Sequence, residues 1–109
     1  MRSDNICVAA GGVRFVDWSH ARRGAAATDL AAFLPAARLE GGPAPEAVFP
    51  DGAGWGAAQG ANLALRAMND AAAPRWLGRV FRRMAAINLD WAIAGLGLPP
   101  RDGPPWEAR

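Results

Sequence analysis

The chain has 109 residues, 51% of them hydrophobic and 20% charged, which suits one small domain with its own core and excludes wholesale disorder. All twelve basic residues are arginine, so the pI reaches about 9.9 although the formal net charge is only +2. That balance argues against a nucleic-acid partner, the single cysteine excludes an intrachain disulfide, and no apolar run reaches the roughly 18 residues of a membrane span.

The first residues are polar and lack the apolar segment of a signal peptide, which with one cysteine points to a reducing, cytoplasmic location. Residues 6–10 and 13–16 are β-prone runs on either side of Gly11-Gly12. A Gly-Gly pair between two such runs predicts a tight hairpin over 6–17, because both central turn positions favour positive φ. Cys7 lies in the first run and is expected to be an inert, buried thiol. A loop of small and polar residues follows and contains His20.

A first helix is predicted over about 28–40, with Thr28 or Asp29 as N-cap and Leu30, Phe33, Leu34 and Ala37 at helical spacing. Pro35 should kink it or mark a restart. Residues 41–54 hold three prolines and four glycines and predict a loop. A second helix is predicted over 55–69, with Trp55, Ala58, Leu65 and Met68 inward. The third, over 74–96, has Pro74 in its first turn and an apolar stripe of Leu77, Phe81, Met84, Ile87, Trp91 and Ala94. Arg75, Arg79, Arg82 and Arg83 lie off that stripe. They read as a solvated face, with a phosphate-binding face as the alternative. Pro99-Pro100 stops the helix. Residues 99–109 read as a loosely held Pro-rich tail in which Trp106 could dock. The predicted fold class is α+β, a β-hairpin followed by about three helices over residues 1–98.

A hairpin sets its two ends side by side, with strands about 4.8 Å apart. Asn5 stands just before the first strand and Asp17 at the end of the second. An amide oxygen and a carboxylate converging on one point are hard-oxygen ligands suited to Mg²⁺. The plainer roles are a turn residue for Asn5 and a cap for Asp17. Asp4 can assist this loop or be solvated, and His20 has no partner at a catalytic spacing.

The string "RSDNICV…GGVRFVDWSHARRGAAATDLAAFL" resembles the aminoglycoside phosphotransferase family, kinase-like enzymes that phosphorylate small-molecule hydroxyls. In that family a catalytic loop of the form His-x-Asp-x4-Asn leads into a hairpin. An Asp followed by an aromatic comes next, then a Gly-containing loop and an Asp-Leu-Ala-like helix start. Asn5, Asp17-Trp18, Gly24 and Asp29-Leu30-Ala31 stand in that order here, and the match covers residues 2–34. The resemblance implies that Asn5 and Asp17 are the Mg²⁺ ligands that hold the phosphates of ATP. It implies that Trp18 packs beneath the metal-binding Asp and that Asp29 is a structural residue at a helix start. The fold implied is part of a protein-kinase-like C-terminal lobe.

The departures from the family pattern matter as much. The catalytic Asp that accepts the hydroxyl proton precedes the metal Asn by five positions, which falls one residue upstream of Met1. The chain contains no lysine and no glycine-rich phosphate loop. The expectation is therefore a truncated phosphotransferase, or one with a misassigned start, that is inactive alone and binds Mg²⁺ and ATP weakly or not at all. The intact enzyme would act on a small-molecule hydroxyl. Apolar surface around Trp55, Trp76 or Trp91 is expected to lie uncovered and to favour self-association. The alternative is a non-enzymatic helical module whose arginine-bearing helix meets an acidic partner. The acidic residues Asp51, Asp70 and Asp90 are available to an acceptor pocket, and Asp90 is expected to be solvated.

Overall fold

A computed structural model describes residues 5–19 and 21–103. It is an α+β fold in which a two-stranded antiparallel hairpin, β1 (Ile6–Ala9) and β2 (Gly12–Phe15), precedes four helices. These are α1 (Ala26–Leu39), α2 (Pro45–Val48), α3 (Ala53–Asn69) and α4 (Arg75–Leu96), with a 3-10 turn over Pro50–Gly52 between α2 and α3. Asp4, His20 and Trp106 lie outside the described residues.

The hairpin differs from the predicted one in its turn. The register pairs Ile6 with Phe15 and Ala9 with Gly12, so the central turn residues are Ala10 and Gly11. Positive φ falls on Gly12 (120°), at the fourth turn position, and not on the central pair. Both faces of the hairpin are open to solvent, with Val8 80% exposed. Cys7 is an exposed free thiol and not the buried one expected from its apolar neighbours. Among the described residues no element covers the ribbon enough to bury it, so apolar character alone did not bury Cys7.

Helix α1 starts two residues before the predicted position. Its N-cap is Ala25, without a side-chain cap bond, which leaves Asp29 in the first turn, where a carboxylate favours the positive helix end. The helix runs through Pro35, which is buried together with Ala31 and Leu34. Residues 41–54 are not all loop. Pro45 and Pro50 stand at the first positions of α2 and the 3-10 turn, where their fixed φ suits a helix start.

The main interface of the fold lies between α3 and α4. The buried residues of α3 are Ala53, Gly56 and Gly60, spaced three and four apart. The large residues expected inward point out: Leu65 and Met68 are exposed, as are Trp55 and Ala58. On α4 the buried set is Phe81, Ala85, Ala86, Asn88, Trp91 and Ala92, while Ile87 is half-buried and Ala94 exposed. The stripe is rotated from the predicted one because α3 approaches so closely that small residues line its contact. A Cβ at Gly56 would stand 2.8 Å from the Asn88 carbonyl oxygen and 3.1 Å from the Trp91 ring. Asn88 is fully buried, and its Nδ2 donates to the Met84 carbonyl 2.8 Å away. Its Oδ1 meets no donor among the described residues.

Trp91 fills the centre. It is 0% exposed, packs with Ala31, Leu34 and Phe49, and donates its indole N–H to the Phe49 carbonyl at 2.9 Å. It is thus covered, unlike the exposed Trp76 with which it was expected to share open apolar surface. Helix α4 ends at Gly97 in the left-handed region (φ 64°), and the Leu98 N–H closes on the Ile93 carbonyl at 3.0 Å. A Cβ at Gly97 would touch nothing within 4 Å, so only backbone strain opposes it. Gly97→Ala is expected to lower the unfolding free energy by about 1 kcal/mol, read by urea denaturation. Beyond this cap Arg101 grips Asp90 with two bonds, at 3.0 and 3.1 Å. Asp90 is therefore paired, not simply solvated, and the tail is tied to α4 at this point.

Candidate functional site

The open end of the hairpin is where sequence reasoning set a site. The Val16 N–H donates to the Asn5 carbonyl at 2.9 Å, which extends the ladder one step past the Ile6–Phe15 pair. Asn5 therefore stands opposite Val16, and Asp17 is the next residue along. In a continuous strand Asp17 would point to the face opposite Asn5, because side chains alternate. That alternation ends at Asp17, whose φ is 58°.

Among the described residues Asp17 is the only non-glycine with positive φ. Aspartate tolerates this region better than most residues, yet it still costs of order 1 kcal/mol. Backbone strain of this kind concentrates at ligand clamps and active sites. The Ser19 hydroxyl donates to Asp17 Oδ1 at 2.8 Å and fixes the carboxylate. Asn5 is half-buried.

Trp18 follows Asp17 in the loop after β2. It is 65% exposed, and its indole N–H turns back to the Phe15 carbonyl at 3.1 Å. The indole closes the loop after the strand. Asp29 is exposed on the first turn of α1.

Among the described residues no group of three or more His, Cys, Asp or Glu side chains is placed to hold a metal. Asn5 and Asp17 together offer one amide oxygen and one carboxylate. Two protein ligands suit Mg²⁺ when water and substrate phosphates complete the octahedron, and do not suit a closed structural cage. The residues fit the ion in type, and any binding would depend on the nucleotide.

A second cluster includes three of the arginines that read from the sequence as a solvated face, with a phosphate-binding face as the alternative. Arg66 from α3 and Arg75, Arg79 and Arg82 from α4 line one cavity of about 310 Å³ at the start of α4. The signal was present in the spacing of 75, 79 and 82, which places them on one helical face. The contribution of Arg66 required the tertiary fold.

No family model, no curated protein and no solved structure matches the chain. Among the described residues no helix is long and apolar enough to cross a membrane.

Proposed function

We propose that the chain carries the metal-ligating part of a kinase-like phosphotransferase. In the intact enzyme the γ-phosphate of ATP would pass to a small-molecule hydroxyl. The observation that carries the reading is Asp17. It is held in a left-handed conformation next to Asn5 at the hairpin end, with its carboxylate fixed by Ser19. Bound Mg²⁺ would neutralise phosphate charge, and the role of Asn5 and Asp17 would be to hold and orient it. The 109 residues include no lysine to contact the phosphates, so the role read for Asn5 and Asp17 is to bind and orient the ion.

The test is a Mn²⁺ titration in the presence of ADP, followed by the EPR signal of the free ion. Asp17→Ala and Asn5→Ala are each expected to weaken binding about tenfold or more. Identical isotherms for the parent chain and Asp17→Ala would overturn the reading. Phosphoryl transfer by the chain alone is expected to be undetectable.

A further inference from the structure

We propose that the arginine-lined cavity between the end of α3 and the start of α4 binds a small phosphorylated molecule. Four arginines, Arg66, Arg75, Arg79 and Arg82, line it, against one acidic residue, Asp70. None of the five side chains makes an ion pair or hydrogen bond with another described residue. The cavity volume of about 310 Å³ falls at the small end of ligand pockets.

The arrangement breaks the rules that would govern a merely solvated helix face. The N-terminal end of a helix carries partial positive charge and favours acidic side chains. Helix α4 has no acidic residue in its first turn, no side-chain cap, and an arginine at its first position. Arg79 and then Arg82 follow on the same face, and like charges four apart repel. Such a cluster lowers helix stability when empty and is relieved by an anion. An anion there meets the helix dipole as well as the side chains.

Two arginines are also prepared for the task. Arg66 lies over the Phe81 ring, 4.4 Å from its centroid, which restricts the guanidinium before any ligand arrives. Arg82 packs over Gly78, where a Cβ would be 3.5 Å from its Nη1. The Nε of Arg82 is buried with no acceptor among the described residues. An unmet buried donor in a cationic cavity calls for an acceptor, and phosphate oxygens match the guanidinium fork. The apolar wall supplied by Phe81, Ala67 and Pro74 suits the organic part of such a ligand.

The cavity shares no residue with the Asn5–Asp17 end, and its test needs no metal. Inorganic pyrophosphate is titrated into the full chain in EDTA at low salt, by calorimetry and by thermal shift. The expected result is saturable 1:1 binding with a raised melting temperature, weakening as salt rises. The exposed Arg79→Gln is expected to weaken it about tenfold. Arg75→Gln, also exposed, should act in the same direction, so the test survives if either variant folds poorly. Binding that is absent at millimolar pyrophosphate, or unchanged in both variants, overturns the proposal. Vesicles containing phosphatidic acid, and a single-stranded oligonucleotide, form the remaining arms. Binding to either without binding to pyrophosphate also overturns it.

Discussion

Replacing Trp91 by alanine is expected to lower the unfolding free energy by about 3–5 kcal/mol, and so to leave the chain marginally folded at 37 °C. The buried apolar set is small and mostly alanine: Ala31, Ala53, Ala85, Ala86 and Ala92, beside Leu34, Phe81 and Trp91. Trp91 is its largest fully buried side chain. Truncation removes the packing with Leu34 and the tilted contact with Phe49, whose ring centre is 6.0 Å away. It also leaves the Phe49 carbonyl without the indole donor. Trp91→Phe separates the two terms. It keeps most of the apolar volume, loses the hydrogen bond, and should cost less than half as much. Urea denaturation followed by far-ultraviolet circular dichroism reads both. A loss below about 1 kcal/mol for Trp91→Ala would mean that the core is not centred on this residue.

The second large effect lies at Gly56. In most helix interiors Gly→Ala stabilises, because alanine restricts the unfolded chain and has the higher helix propensity, by up to about 1 kcal/mol. At Gly56 the added methyl meets a backbone carbonyl, that of Asn88, at 2.8 Å, and the Trp91 ring at 3.1 Å. A carbonyl in the middle of a helix cannot move alone, so α3 and α4 must separate. Steric cost should outweigh propensity, and Gly56→Ala is expected to destabilise by about 1–3 kcal/mol, with Gly56→Leu worse. Gly54 on the same helix has open space where its Cβ would be, so the same change there should be neutral or stabilise slightly. Opposite signs for one chemical change, two residues apart, are the expected signature of this interface. Thermal melts of the two alanine variants give the comparison directly.

This interface also shows where the sequence was readable and where it was not. The existence of the hairpin and of the α1, α3 and α4 helices follows from β-prone runs, helical spacing and the Pro and Gly residues between them. The inward faces do not follow. Hydrophobicity ranks Trp55, Leu65 and Met68 of α3 as core residues, yet all are exposed and Gly56 and Gly60 are buried. What decides is the distance between two helix axes, a tertiary quantity that periodicity does not contain. Once α3 sits close to α4, small residues occupy the α3 side of the contact, and the larger apolar side chains of α3 are displaced outward. Cys7 fails for a related reason, since an apolar strand is buried only if something lies on it.

The candidate sites divide in the same way. Asn5 and Asp17 could be named from linear order because a hairpin brings its own ends together, and the ladder joins Asn5 to the residue before Asp17. The left-handed turn at Asp17 left no mark in the sequence. The arginine cavity needed Arg66, nine residues before Arg75, to return alongside α4, which only the α3–α4 packing provides.

The open hairpin carries a last consequence for any ligand at its end. A two-stranded ribbon with both faces wet is marginally stable by itself, so it should open and close many times within the lifetime of the folded helices. Amide exchange would be fast from residues 6–15 and slow from α3 and α4. An ion that needs the closed ribbon binds with an affinity reduced by the fraction of time the ribbon is closed. Whatever clamps the ribbon shut would tighten the proposed metal binding by that factor without touching Asn5 or Asp17.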